Sequence, residues 1–428
     1  MRVVALCLFF LSHSVSADSL TLAQLIDRSL NANPETRAAW QRSRSQVERV
    51  GIAKSSYYPT LDASASISER LGDSALLGSE RQTQVSLSSQ WLLWDFGGRR
   101  ANLDSAQHTL AALQASQDAA SQQVAIRAVQ NWFTQLSAQA SLEAAQASLL
   151  AAEETAKAAR QRQLIGGATR EEELQAETAL AQAKLIVIQR QGELAASAGQ
   201  LAVVAGYDAD TVLALDYQDS ALDRLSQQTN AQPPELKQLL ALAQERRPEL
   251  IAQQLRVKAN HSELDRIAAQ ARPRLSLSAS STNSRDDLNQ NQGGQLALTA
   301  TLPLFTGFQQ RHQQALAQSQ IAEQGVELAR IKQQVGLVVW LACQQLITAQ
   351  ARITATDSLL AAASESRRAA LARYQAGIGN LLNVLTAQSN LADARQQHAR
   401  SRFDLAAARL QLAQASGLLV RDTATEFR

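Results

Sequence analysis

Apolar residues recur at three-four spacing along two very long stretches of this chain. In the first, Ala106, Leu110, Leu113, Ala120 and Val124 give way to Ile126, Val129, Phe133, Leu136 and Ala140. That spacing is helical and of the coiled-coil kind. The stripe changes face partway along and many contact positions are alanine, so these helices are expected to pack closely on two sides. Prolines occur only at 34, 59, 233, 234, 248, 273 and 303, leaving residues 60–232 and 304–428 without one. A helix over about 98–163 is predicted, and a second over about 309–375. Each would be ~100 Å long at ~1.5 Å per residue. Gly166-Gly167 and Gly377-Ile378-Gly379 then break the pattern and permit reversals. Return helices are predicted over 170–206 and 381–417, and shorter helices over about 35–56 and 249–271.

Between these helices the period changes to two. Leu61, Ala63, Ala65 and Ile67 alternate with Asp62, Ser64, Ser66 and Ser68, and Val85, Leu87, Ser89, Trp91 and Leu93 alternate with a polar or mixed set. Leu275, Leu277 and Ala279 alternate with serines, and Leu296, Leu298, Ala300 and Leu302 with Ala297, Thr299 and Thr301. Two β-hairpins follow, at about 60–94 and 273–305. Strands of about ten residues are long enough to cross a bilayer when tilted. Aromatics gather at the helix-proximal ends: Tyr57, Tyr58, Trp91, Trp94 and Phe96, then Phe305 and Phe308. Their placement resembles the aromatic girdle of an outer-membrane barrel.

The two series are copies of one another. Residues 22–66 reappear 214 positions later and residues 94–206 reappear 211 positions later. Pro34-Glu35 matches Pro248-Glu249, Arg162 matches Arg373, Gly166 matches Gly377 and Gly206 matches Gly417. The register slips between Pro59 and Trp94, inside the hairpin, where loops tolerate changes of length. The organisation expected is a first repeat over 18–206, a linking segment over 207–233, a second repeat over 234–417 and a short tail over 418–428. The reversal turns lie at 164–169 and 376–380. Each copy is one structural unit, and one hairpin is too small to close on itself. Four strands are still too few, because bacterial membrane barrels start at about eight. Open sheet edges do not sit in lipid, so spanning strands require oligomerisation, and three copies would supply about twelve.

Composition narrows the class. Residues 1–17 read as a cleaved secretory signal: Arg2 is the charged start, Val3–Leu11 the apolar stretch and Val15-Ser16-Ala17 the small-residue cleavage site. The formal net charge is +2, without the clustered basic residues of a nucleic-acid surface. Past the signal the longest apolar run is about Val335–Cys343, far short of the ~20 residues a spanning helix needs. Cys343 is the sole cysteine of the exported chain and reads as a small packed residue. The histidines at 108, 261, 312 and 398 are scattered over different elements. There is no HExxH, no paired cysteine motif and no phosphate loop after a strand, so no enzyme, metal or cofactor is expected.

With these features the chain resembles the TolC family of outer-membrane efflux and type I secretion channel proteins. The resemblance rests on the duplicated plan, Trp94-Asp95-Phe96-Gly97-Gly98, and Leu304-Phe305-Thr306-Gly307. Its most specific stretch is Arg373-Tyr374-Gln375-Ala376-Gly377 followed by Asn380-Leu381-Leu382-Asn383-Val384-Leu385-Thr386. It implies a mainly α fold with a β-barrel part. In such a homotrimer, a twelve-stranded barrel in outer-membrane lipid is continuous with a twelve-helix periplasmic α-barrel. It implies a passive exit duct fed by a periplasmic adaptor and an inner-membrane pump of RND, MFS or ABC type, carrying solutes or polypeptides. Under the resemblance the reversals form the periplasmic tip. Tyr374 matches a tyrosine that holds the closed state, and Glu172 matches its acidic partner region. Two aperture aspartates of the archetype fall on Asn383 and Thr386, and an arginine of its resting lock on Gly379.

The tip candidates are therefore Arg162, Gly166, Gly167, Glu171, Glu172, Glu173, Arg373, Tyr374, Gly377, Asn383 and Thr386. Local chemistry gives some of them simpler roles. Thr169 and Glu172 have the spacing of a capping box. Asn380 can cap its helix in the same way. Arg162 and Arg373 sit where a cation meets a helix C-terminus favourably. Under threefold symmetry Glu171–Glu173 would form an acidic patch around the opening. The competing class is an exported coiled-coil scaffold without a pore, in which the hairpins merely cover the end of a bundle.

Overall fold

The computed structural model describes residues 20–70, 80–215, 235–285 and 290–418. The expected signal at 1–17, residues 71–79 and 286–289, most of the linking segment and residues 419–428 lie outside them. Eight helices and four strands make up the described residues. They are α1 (Leu22–Ala32), α2 (Pro34–Ser55), β1 (Thr60–Arg70), β2 (Glu80–Trp94), α3 (Gly98–Leu164) and α4 (Arg170–Val204). The second series is α5 (Leu236–Arg246), α6 (Pro248–Ala269), β3 (Arg274–Arg285), β4 (Gln290–Thr301), α7 (Gln309–Gln375) and α8 (Leu381–Ala415). The helices match in length copy by copy. α1 and α5 have 11 residues, α2 and α6 have 22, α3 and α7 have 67, and α4 and α8 have 35.

Local chemistry sets these limits. α2 and α6 each begin on a proline, whose fixed φ and missing N–H suit the first turn. α1, an element the periodicity did not single out, opens on a complete capping box between Thr21 and Gln24. Four helices end alike. Gly166, Gly206, Gly377 and Gly417 have φ of 74–81°. Around each, paired bonds such as Gly167 N–H to the Arg162 carbonyl (2.7 Å) and Gly166 N–H to that of Gln163 (3.0 Å) close a Schellman motif. At Gly206 the requirement is doubled, because a Cβ there would stand 2.6 Å from that of Ala32.

The chain divides into two compact units. One comprises the described residues of Arg37–Ala120 and Ala241–Leu337 and holds the whole sheet. Its strands run in the order β1-β2-β3-β4, all antiparallel, so β1 and β4 are free edges. The pairings Ala63↔Leu87, Trp91↔Leu277 and Leu277↔Leu298 put the apolar residues of all four strands on one face. The other face carries Ser64↔Ser86, Ser88↔Ser280 and Ser276↔Thr299. No helix covers the apolar face: Leu61, Ile67, Val85, Leu87, Leu296 and Leu298 are all exposed.

The other unit comprises the described residues of Met1–Thr36, Ser121–Leu240 and Val338–Arg428. Its largest core gathers Leu22 and Leu25 of α1, Val129, Trp132, Phe133 and Leu136 of α3, Leu201 of α4 and Leu410 of α8. Residues 207–215 of the linking segment fold back onto it. Leu20 donates its N–H to the Ala214 carbonyl at 2.8 Å, and Leu215 joins the core.

Candidate functional site: the two helix reversals

The reversals between α3 and α4 and between α7 and α8 are built around Tyr374, the second-last residue of α7. Its side chain is fully buried with Ala159 of α3, Ala176 of α4, and Leu381 and Val384 of α8. Four helix ends thus share one aromatic ring. The hydroxyl is buried without a hydrogen-bond partner of ordinary geometry among the described residues. Burial raises the phenol above its ordinary pKa of 10. The charge of nearby Glu172 raises it further, and Arg162 opposes both.

Arg162 ties the two reversals together. Its guanidinium lies 4.4 Å from the centre of the Tyr374 ring. One nitrogen donates to the Tyr374 carbonyl at 2.7 Å and another to the Gly167 carbonyl at 2.9 Å. The Tyr374 carbonyl stands at the C-terminal end of α7, where a cation is favoured, and the Gly167 carbonyl lies in the turn just past α3. The bond to Gly167 stays within the first reversal, and the bond to Tyr374 crosses to the second. Arg373 occupies the same place in the repeat but is exposed and has no side-chain partner among the described residues.

The three acidic residues do not form one exposed patch. Glu171 is exposed and accepts a bond from Gln175 at 3.2 Å. Glu172 is half-buried toward Tyr374. Its backbone N–H bonds to the Thr169 hydroxyl at 3.2 Å, but the carboxylate does not return to Thr169, so only one arm of the expected capping box exists. Glu173 is 4 % exposed and is neutralised by Arg170, with Arg160 at 4.0 Å. Those two arginines were not among the candidates, although Arg170 and Glu173 have helical pairing distance in sequence. In the second copy Asn380 caps α8 through the Leu382 N–H, and Asn383 and Thr386 are exposed three residues apart on one face of that helix. A Cβ on Gly379 would lie 2.8 Å from the Tyr374 nitrogen and 2.9 Å from the Arg373 carbonyl carbon. The backbone is therefore drawn in where a side chain would otherwise stand. Leu164, Ile165, Ile378 and Leu382 are exposed around the turns.

The aromatic candidates at the helix-proximal end of the sheet, Tyr57, Tyr58, Trp91, Trp94 and Phe305, are all exposed. They stand at two tightly tied joints. Trp91 donates its indole N–H to the Tyr57 carbonyl at 3.0 Å. Arg99 donates to the Leu92 and Leu93 carbonyls and stacks over the Tyr57 ring. Each strand-to-helix joint needs two consecutive residues at positive φ: Phe96 and Gly97 in one copy, Gly307 and Phe308 in the other. Each thus spends one glycine and one phenylalanine on a conformation that costs a side chain ~1–2 kcal/mol.

Among the described residues no helix is long and apolar enough to cross a membrane, and no cluster of three metal-binding side chains occurs. Residues 25–207 and 239–418, one stretch per repeat, match the family described as outer membrane efflux protein. Protein CyaE of Bordetella pertussis is 30 % identical over 413 residues, spanning 95 % of this chain and 86 % of that protein. The fold is similar to that of the outer membrane protein VceC of Vibrio cholerae (TM-score 0.79, 21 % identity, 92 % of this chain and 96 % of that one). It is also similar to CusC (TM-score 0.83, 20 % identity, 92 % of each) and to the MtrE outer membrane channel of Neisseria gonorrhoeae (TM-score 0.78, 21 % identity, 92 % and 88 %). The chain belongs to the outer membrane efflux protein family.

Proposed function

We propose that this outer membrane efflux protein works as a homotrimer, a passive exit duct whose strands close into one twelve-stranded barrel continuous with a twelve-helix periplasmic tunnel. The observation that carries the proposal is the sheet. Four strands with both edges free and one apolar face uncovered cannot stand in lipid alone, because each unpaired backbone group there costs several kcal/mol. Closure needs partners, and copies of the chain bring matching edges. The exposed aromatics at the strand–helix joints fit the membrane boundary.

The reversals are the tip and gate of the duct. Arg162, Tyr374 and Glu172 hold the two turns of one chain together, with the glycines Gly166, Gly167 and Gly377 shaping the turns. The exposed aliphatic residues Leu164, Ile165, Ile378 and Leu382, with exposed Arg373, Glu171, Asn383 and Thr386, form the surface that a periplasmic adaptor meets. That adaptor connects to an inner-membrane pump, which supplies the energy. Outer membranes from expressing cells, run unheated and heated on a detergent gel, test the assembly. A band near three times the chain mass that collapses on heating is expected. A monomer in both lanes, recovered in the periplasmic fraction, would remove the duct in favour of a soluble scaffold.

A further inference from the structure

The helix-proximal end of the sheet carries a one-sided charge. Residues 54–59, 95–100, 270–274 and 302–312 surround the four joints between strand and helix. They contain six lysines and arginines against a single acid, Asp95. Asp95 is already used. Arg99 lies 3.5 Å from its carboxylate, both side chains are 13 % exposed, and the Leu92 and Leu93 carbonyls hold Arg99 further. Lys54, Arg100, Arg272, Arg274 and Arg311 remain, all exposed. Arg100 has Asp104 at 3.9 Å, but its side chain is 85 % exposed. The other four have no side-chain partner among the described residues. The opposite end of the sheet is balanced: Glu69 stands opposite Arg81, and Arg70 opposite Glu80.

Helix chemistry does not call for most of these cations. Lys54 sits in the last turn of α2, where it complements the helix dipole. Arg100 and Arg311 do the reverse. They are repeat equivalents in the first turns of α3 and α7, which hold no acid and where positive charge is disfavoured. Arg272 lies between α6 and β3, outside any helix. Arg274 is different: it stands opposite Thr301 on the serine face, which is the lumen side of the barrel proposed above. Interleaved with the remaining four cations are apolar residues. Tyr58, Trp94, Leu304, Phe305 and Phe308 are 59–89 % exposed. Aromatic rings beside unpaired basic side chains suit the headgroup layer of a bilayer, where the rings sit at the interface and the long stems reach toward phosphate.

We propose that Lys54, Arg100, Arg272 and Arg311 form a belt that binds the headgroups of anionic phospholipids in the periplasmic leaflet. This rests on the barrel reading given above, which puts this end of the strands at the periplasmic boundary, and adds which lipid meets it. A guanidinium can hold two phosphate oxygens at once, and three of the four belt residues are arginine. Each basic side chain near an anionic surface favours it about fivefold. A zwitterionic headgroup offsets its own phosphate and offers no net charge to attract. The attraction fades within a Debye length of ~10 Å at moderate salt, so it acts on the lipids in contact with the protein and not on the bilayer at large.

Spin-labelled phospholipids in liposomes that carry the full-length protein test this. At low salt the wild type should hold labelled phosphatidylglycerol about fivefold more strongly than labelled phosphatidylcholine. The preference should fall toward one in ~1 M salt, where the Debye length is ~3 Å. Arg100→Gln, Arg272→Gln and Arg311→Gln combined should lose most of it while the protein still runs as an oligomer on an unheated gel. Lys157→Gln, Arg400→Gln and Arg402→Gln combined, which remove three exposed cations of the other unit, should keep it. Equal binding of the two lipids by oligomeric wild type overturns the belt and leaves the duct standing. So does a preference that survives loss of the three belt arginines, or one that the control variant loses equally. Wild-type protein that never runs as an oligomer and does not enter liposomes removes the duct itself.

Discussion

Replacing Arg162 by methionine keeps an apolar stem against Tyr374 and removes three polar interactions: the bonds to the Tyr374 and Gly167 carbonyls and the contact with the ring. A charged donor to a neutral acceptor contributes ~1.5–3 kcal/mol when well buried. Arg162 is only half-buried, so ~1 kcal/mol for each bond is the appropriate scale. The ring contact adds ~0.5–1 kcal/mol. The reversals should therefore open more readily by about 2.5–3 kcal/mol. At ~1.4 kcal/mol per decade, that is a ~60–140-fold rise in the open population. Amide hydrogen exchange in detergent reads this directly, through peptides covering 160–176 and 370–384. Both turns should lose protection together, because the side chain bridges them. Arg373→Met is the control. That residue is exposed with no side-chain partner, so its replacement should stay within ~0.5 kcal/mol. Equal effects from the two variants, or unchanged protection in Arg162→Met, would refute the argument that the guanidinium links the turns.

Tyr374→Phe removes a buried hydroxyl without a partner and should leave thermal stability unchanged or slightly raised, whereas Tyr374→Ala opens a cavity among four helix ends and should cost ~3–5 kcal/mol in denaturant unfolding. Gly379→Ala forces a Cβ against backbone atoms of α7 and should cost ~1–3 kcal/mol, seen as faster exchange confined to 373–382. Glu35 is held below its ordinary pKa of 4.5 chiefly by its hydrogen bond to Arg127. Its stabilising contribution is therefore present above that value and is lost as pH falls through the lowered one. Glu35→Gln should flatten the acid side of the stability–pH profile below about pH 4.5, and an unchanged profile would show that the pair contributes nothing.

The regular elements were legible because local chemistry fixes them. A helix expected at about 98–163 runs Gly98–Leu164, and its copy expected at about 309–375 runs Gln309–Gln375. Proline-free alanine-rich sequence carries them, and glycines at positive φ stop them. α1 and α5 are hard to read from sequence because a helix of 11 residues shows barely three turns of periodicity, although Thr21 and Gln24 announce the first. Half of the Thr169–Glu172 capping box does not form, for a different reason. Glu172 faces a phenol contributed from more than two hundred residues away, and that competitor is invisible to a local motif. The fate of Glu173 was hidden likewise: sequence shows a run of three acids, but helix geometry turns the third inward onto two arginines. Residue types at the tip were readable, and their pairing was not, since Arg162 and Tyr374 are 212 positions apart.

The repeat explains why only one of the two equivalent arginines holds anything. Arg162 and Arg373 end equivalent helices in equivalent Schellman motifs, so backbone geometry offers both the same carbonyls. What differs is the residue that follows. After Arg373 comes Tyr374, whereas after Arg162 comes Gln163. A ring large enough to touch four helices exists in the second copy alone, and it brings the α7 end within reach of Arg162. On the other side the repeat equivalents of Glu172 and Glu173 are Asn383 and Val384. The first copy thus carries the charges and the second the ring and the apolar floor beneath it. Neither reversal could be locked by a partner identical to itself: two arginines would repel, and two tyrosines would supply no guanidinium to bridge the Tyr374 and Gly167 carbonyls. Divergence of the copies at these few positions is what turns two similar turns into one interlocking pair, while the helices that carry them keep their matched lengths.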